Sequence, residues 1–344
     1  MPRRPRLTRR TASAVAAVTA GAAGIAVQRR HLRALDRDPD YVRLRRPLGG
    51  RTLSATSPDG TVLHAEAFGP DTGHAIILAH GWTEQLSFWG PVIGRLSGRG
   101  QRVIAYDLRG HGASAPAAQG DYSLQRFGED LEAVLAATVE APQRATVVGH
   151  SLGAMSIAAW AGGHDVQARA NGAVLVNTGL GDLIGGHLLF GELARWLNNP
   201  RLSRAVLGSA APILPFSTPV SQALIRYMAF GPTASAGDVA FYERMLLACP
   251  CGVRAACGVV LSDLDLWPAV ASLTVPTLVV TGERDRLTPP DHARRIVAAL
   301  PAPAGLLELP ATGHMSPLER PQELADAIEE LVRRVAATPG VAAV

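Results

Sequence analysis

Ala145-Thr146-Val147-Val148-Gly149-His150-Ser151-Leu152-Gly153 is the stretch that decides how this chain of 344 residues reads. Its first four residues are a short, mostly apolar run, which predicts a buried strand. From Leu152 to about Gly162 the sequence is apolar and uncharged, which predicts a buried helix. Between the two, Gly149 and Gly153 flank Ser151 in a G-x-S-x-G pattern. A residue on so tight a strand-to-helix turn takes a strained backbone, so only small residues fit two positions before and after it. The turn also aims the N–H of Leu152 from a helix N-terminus, where negative charge is stabilised. The five-residue pattern alone is common by chance; its flanking elements mark Ser151 as a candidate nucleophile.

Outward from this turn, apolar runs alternate with helical stretches. Arg51–Ser57 and Val62–Phe68 flank Pro58-Asp59-Gly60, a hairpin signal. Ala75–Ala79 and Arg102–Tyr106 predict strands on either side of a helix at about 88–99, and a helix at about 123–138 leads to Ala145. Ala173–Val176 is the next predicted strand. Thr277–Thr281, a helix near 290–300, Leu306–Leu309 and a helix over about 321–336 complete the series. This rhythm predicts an α/β fold with a mostly parallel central sheet and helices on both faces. It breaks between 180 and 270, where helical apolar stretches punctuated by Gly and Pro contain no clear strand. The chain therefore divides into an N-terminal extension (1–50), a core in two pieces (51–179 and 271–344) and a helical insertion after the sixth strand (180–270).

A serine hydroxyl at its ordinary pKa is a weak nucleophile and needs a base with an orienting carboxylate. His314, in Gly313-His314-Met315, follows the last predicted strand, and Asp285, in Gly282-Glu283-Arg284-Asp285, follows Thr277–Thr281. Both fall on the sheet edge that carries Ser151, in the order serine, acid, histidine. Glu283 is a weaker acid candidate, and Asp263 and Asp265 are weaker still. A second oxyanion donor, besides the Leu152 N–H, is expected from His80-Gly81-Trp82 after Ala75–Ala79, through the Trp82 N–H. His80, His111 and His150 are read as polar turn residues. Asp107 and Arg109, in the glycine-containing run Asp107–Ser114, are read as structural hydrogen-bonding groups.

At 47% hydrophobic and 18% charged residues, the composition suits a globular chain with a sizeable core. The net charge of +4 is unevenly spread: residues 1–50 hold 12 Arg and 3 Asp, and the remainder holds 21 Arg against 26 acidic residues. The body therefore lacks the basic surface of a nucleic-acid binder. Cys249, Cys251 and Cys257 cluster without His or Asp ligands at suitable spacing, so they read as free thiols, and no metal or organic cofactor is expected. Residues 12–27 form an uncharged, Ala-rich run after five Arg. Sixteen residues are marginal for crossing a core of about 30 Å. Membrane association through residues 12–27 is the leading expectation. A cleaved signal, with Ala20-Gly21-Ala22 as its site, and a cytoplasmic soluble extension are the alternatives.

His80-Gly81-Trp82, Asp107–Ser114, Gly149–Gly153, Gly282–Asp285 and Gly313-His314 together resemble the α/β-hydrolase superfamily, most closely its esterase, perhydrolase-type and lipase-like branches. The resemblance covers about residues 51–337. It implies the α/β-hydrolase fold, with the insertion acting as a lid over Ser151. Epoxide hydrolases and haloalkane dehalogenases share the scaffold but use Asp at the position of Ser151, which argues against both. Phe190, Trp196, Phe216, Phe230 and Phe241 in the insertion suggest a substrate with an apolar portion. The expectation is a serine hydrolase that cleaves a small, hydrophobic carboxylic ester through an acyl-enzyme. Thioester or lactone cleavage, acyl transfer on the same triad, and a non-catalytic ligand-binding or scaffold protein are the alternatives.

Overall fold

Arg51–Thr56 (β1) and Val62–Phe68 (β2) pair antiparallel around the turn at Gly60, and β2 then pairs antiparallel with Arg102–Tyr106 (β4). The computed structural model describes residues 24–183, 200–211 and 215–337. Ala75–Ala79 (β3), Ala145–His150 (β5), Ala170–Val176 (β6), Thr277–Gly282 (β7) and Pro303–Leu309 (β8) extend the sheet with parallel pairings, in the order β1-β2-β4-β3-β5-β6-β7-β8. β3 and β5 are buried along their whole length, as central parallel strands covered on both faces must be.

Residues 24–35 (α1) and Pro39–Leu44 (α2) precede the sheet. Gly90–Gly98 (α3), Leu124–Thr138 (α4), Leu152–Gly163 (α5) and Val166–Arg169 (α6) follow in the first half of the core. The insertion contributes Pro200–Leu207 (α7), Pro219–Ala229 (α8), Ala236–Ala248 (α9), Cys251–Ser262 (α10) and Trp267–Val270 (α11). Pro290–Ala299 (α12), Ser316–Glu319 (α13) and Pro321–Ala337 (α14) complete the chain. α4, α5 and α12 bury Phe127, Trp160 and Ile296 on one face of the sheet; α3 and α14 bury Leu96 and Ile328 on the other. This two-sided layering is the α/β-hydrolase fold that the sequence implies.

The base of the insertion is closed by a bridge between Gly181 and Asp265, with Leu266 N–H donating to Leu180 O at 2.7 Å. Within the insertion, α7 packs on α10, and α9 packs on α2. Phe230 and Phe241 join Leu44, Phe88 and Met315 in a third apolar cluster, so they stabilise the docking of the insertion, whereas Phe216 is 45% exposed. Phe190 and Trp196 lie outside the described residues, as do residues 12–23 of the Ala-rich run. Among the described residues no single helix is long and apolar enough to cross a membrane.

Arg109 is fully buried and joins three parts of the core. Its Nε and Nη2 donate to the two oxygens of Asp130 on α4 at 2.7 and 2.6 Å, while Nη1 donates to Asp59 in the hairpin turn at 2.8 Å. Asp107 accepts the Leu86 and Ala113 N–H groups at 2.6 and 2.9 Å, which folds the loops after β3 and β4 against each other. Removing one partner of a buried ion network leaves the others unpaired at low dielectric. Arg109→Ala is expected to lower stability by about 3–5 kcal/mol, read as a fall in the urea midpoint. A loss below about 1 kcal/mol would contradict this account of the core.

Candidate active site

Five loops that follow parallel strands meet at the carboxyl edge of the sheet, beside the point where β3 is flanked by β4 and β5. Open parallel sheets form their crevice at such a point. Ser151 is on the turn after β5 with φ 48° and ψ −113°, in the left-handed region that L-residues avoid. The turn is possible because its neighbours lack side chains. A Cβ on Gly153 would stand 2.3 Å from Ala79 O, and one on Gly149 would stand 2.4 Å from Ala154 N. Ser151 N–H donates to Val176 O at 2.9 Å, and Ser151 O accepts from Ala154 N and Met155 N at 3.0 Å each. The strain is thus held from both sides by backbone bonds.

Leu152 is the first residue of α5, so its N–H has no acceptor within the helix. Trp82 lies in the loop after β3, and its N–H has no hydrogen-bond partner among the described residues. The Trp82 ring is turned toward the insertion and donates through Nε1 to Arg254 O at 3.1 Å.

His314 and Asp285 come together from the loops after β8 and β7. Asp285 Oδ2 lies 2.8 Å from His314 Nδ1. Burial by itself would push the Asp285 carboxyl up, but His314, the Thr288 N–H and Asn177 hold it below the usual carboxylate range. Its Oδ1 accepts from Leu287 N and Thr288 N at 2.9 Å each, and its Oδ2 also accepts from Thr288 Oγ1 at 2.8 Å and Asn177 Nδ2 at 2.9 Å. Glu283, the weaker acid candidate, is exposed and accepts the Ala311 N–H at 3.1 Å. Asp263 pairs with Arg204, and Asp265 accepts the Trp267 N–H, both in or beside the insertion.

The His314 loop is pinned along its backbone. His314 N–H donates to Ala229 O at 2.7 Å, Gly313 N–H to Glu319 Oε1 at 3.0 Å, and Asn177 Nδ2 to Gly313 O at 3.2 Å. Glu319 Oε2 also accepts the Gly231 N–H at 2.8 Å, which ties the insertion to the same loop. Nε2 of His314 makes no hydrogen bond among the described residues.

Ser151 and His314 line one cavity of about 140 Å³, walled chiefly by apolar side chains that include Trp82, Met155, Tyr242 and Leu287. Among the described residues, no three His, Cys, Asp or Glu side chains are grouped so as to hold a metal ion. Cys249 and Cys257 are buried free thiols, and burial pushes Cys249 up to about 11.

Several site residues escaped the sequence reading. Asn177 (φ 46°) directly follows β6 and was findable by the strand-end rule that located Asp285. Thr288 is three residues beyond Asp285, a spacing that lets a carboxylate accept a following N–H. His80, His111 and His150 are buried, and each bonds through both ring nitrogens.

Residues 76–327 match the family described as "Alpha/beta hydrolase family". A stretch of 115 residues is 40% identical to a putative carbamate hydrolase of Variovorax paradoxus, covering 33% of this chain and 42% of that one. The chain thus spans less than half the length of that relative. A 3-oxoadipate enol-lactonase of Acinetobacter baylyi is 26% identical over 79% of this chain and 93% of its own. A thermophilic esterase from Thermogutta terrifontis has the same fold, with a TM-score of 0.66 and 22% identity over 83% of this chain and 98% of that structure.

The glycine at 153 yields a direct test of the turn. Gly153→Ala would drive a methyl into the backbone of β3, which cannot give way, whereas a Cβ at Gly94 on α3 meets nothing within 4 Å. Gly153→Ala is expected to cost at least about 1–3 kcal/mol in urea unfolding. Gly94→Ala is expected to be neutral or stabilising by up to about 1 kcal/mol. Equal effects at the two positions would contradict the close-approach argument.

Proposed function

The chain belongs to the α/β-hydrolase family, and from that premise we propose that it is a serine hydrolase acting on an apolar carboxylic ester. The observation that carries the reading is the Asp285–His314 bond of 2.8 Å, with His314 lining the same cavity as Ser151. In the proposed mechanism Ser151 Oγ attacks the ester carbonyl and His314 Nε2 takes its proton. Asp285 accepts the Nδ1–H, which fixes the tautomer that leaves Nε2 basic and stabilises the imidazolium as it forms. The Trp82 and Leu152 N–H groups receive the charge developing on the carbonyl oxygen. His314 then gives its proton to the leaving alcohol. Water, deprotonated by the same histidine, cleaves the acyl-enzyme.

The cavity bears on the acyl group. At about 140 Å³ it is close to the roughly 150 Å³ at which an apolar protein cavity holds benzene. The proposed substrates therefore carry an acyl chain of about four to six carbons or an aryl group. Lactone cleavage is the second reading; it uses the same steps, and the similarity to an enol-lactonase favours it. Membrane association through residues 12–27 is a separate proposal about location. It draws on the Arg-rich extension and on α1, whose Arg29, Arg30 and Arg33 are exposed. Recovery of the full chain wholly in the soluble fraction of expressing cells would contradict it.

A fluorophosphonate probe is expected to label the wild type and not Ser151→Ala; an unlabelled but folded wild type would remove the serine mechanism. On p-nitrophenyl esters, kcat/KM is expected to peak at about four to six carbons. A maximum at acetate, with every longer chain slower, would overturn the apolar-pocket reading. Asp285→Asn is expected to lower kcat by about 10³–10⁴-fold.

A further inference from the structure

The proposed chemistry leaves a buried pair unused. His150 immediately precedes Ser151, and Glu84 lies in the loop after β3, where it reaches the cavity wall. His150 Nε2 lies 2.8 Å from the backbone oxygen of His314. A carbonyl can only accept, so Nε2 carries a proton. Nδ1 lies 3.1 Å from Glu84 Oε2, and that same oxygen accepts the Gly81 N–H at 2.5 Å. Glu84 Oε2 thus faces Nδ1 as an acceptor. Nδ1 carries the second proton, and the ring is an imidazolium.

The neighbouring histidines are in the other charge state. Nε2 of His80 accepts the Leu108 N–H at 3.0 Å, and Nε2 of His111 accepts the Thr83 N–H at 3.3 Å. Each donates through Nδ1 to a carbonyl, His80 to Gly81 O and His111 to Arg109 O, so both rings are neutral. Burial pushes both down in agreement. Around His150 the titratable groups are Glu84, Asp285 and His314 on their loops and His80 at the end of β3; Phe88 and Trp89 pack against its ring. Burial opposes its charge, but Glu84, the His314 carbonyl and Asp285 outweigh that and hold it above the ordinary imidazole range.

We infer that the His150–Glu84 ion pair is a positioning device that ties the Gly81–Trp82 loop to the His314 loop beneath the nucleophile turn, and that loss of its proton sets an alkaline limit on turnover. The inference rests on the triad reading above. When the proton leaves to solvent, the Nδ1 lone pair faces the Glu84 carboxylate and the two repel. Glu84 holds the Gly81 N–H, one peptide before the Trp82 N–H, so the repulsion is transmitted to the proposed oxyanion donor. Glu84→Gln does not restore the arrangement in either orientation of its amide. An amide oxygen there leaves the imidazolium without a counter-charge, and an amide nitrogen meets the Gly81 N–H. His150→Phe keeps a ring against Phe88 and Trp89 but removes both donors.

The test compares full-length wild type with these two variants on p-nitrophenyl butyrate across pH. Each variant is expected to lose about 10–100-fold in kcat with KM changed less than about threefold. The fall of kcat at alkaline pH should be present in wild type and absent from His150→Phe. Fluorophosphonate labelling of Ser151 should persist in both variants. A folded wild type without labelling removes the triad itself, whereas labelling with an unaltered alkaline limb in His150→Phe overturns this inference alone. Two-bond ¹H–¹⁵N spectra of the wild type at pH 7 serve if the variants fail to fold. The His150 ring, assigned in the wild type by its proximity to the Phe88 and Trp89 rings, should show two protonated nitrogens; one bare nitrogen would overturn the inference.

Discussion

The approach of Gly153 to the carbonyl of Ala79 is the contact on which the rest of the site depends. With no side chain at 153, the first turn of α5 can press against the end of β3, and Ser151 can be held at a positive φ between a strand and a helix. Strain of this kind costs about 1–3 kcal/mol and persists only where the surroundings over-determine it. Here they do: the strand before Ser151 is buried throughout, the helix after it is almost wholly buried, and backbone bonds tie Ser151 to β6 and to α5. One residue type at one position thus fixes the relation between the loop that carries Trp82 and the turn that carries Ser151.

The second constraint is electrostatic. Asp285, His80, His111 and His150 are all buried, and an unpaired polar group there costs far more than a pairing gains. The chain answers by giving each of them enough partners. Asp285 accepts two N–H groups, a hydroxyl and an amide in addition to His314. The same bonds that satisfy these groups also lock the loops that bear them, so solvation and positioning are solved together. The insertion takes part, since Ala229 O and Gly231 N–H are among the partners of the His314 loop and its neighbour Glu319.

Much of this was legible in the sequence, for identifiable reasons. β3 is apolar throughout and β5 mostly so, and the glycines around Ser151 are demanded by sterics, so both leave a mark in one dimension. Asp285 and His314 could be found because each closely follows a strand. Asn177 obeyed the same rule and was missed because an amide after a strand has no chemical signature of its own. His80, His111 and His150 read as turn residues because burial of a histidine depends on partners far along the chain: Leu108 for one, Thr83 for another, Glu84 and the His314 carbonyl for the third. Helix bounds in the core followed from periodicity. The partition of apolar residues in the insertion between docking surface and cavity wall did not, since Phe230 and Phe241 are indistinguishable in sequence from a pocket residue yet lie in the packed cluster.

The proposed chemistry requires that Ser151 become covalently acylated, with His314 and Asp285 as its activating pair. The decisive measurement mixes full-length protein with excess p-nitrophenyl butyrate, quenches in acid within the first turnover and maps the modified peptide by mass spectrometry. The expected result is a burst of p-nitrophenol close to one equivalent per active chain and a butyryl group on Ser151. Turnover of the ester by folded protein with no burst and no acyl group on Ser151, or with the acyl group on another residue, would overturn this chemistry.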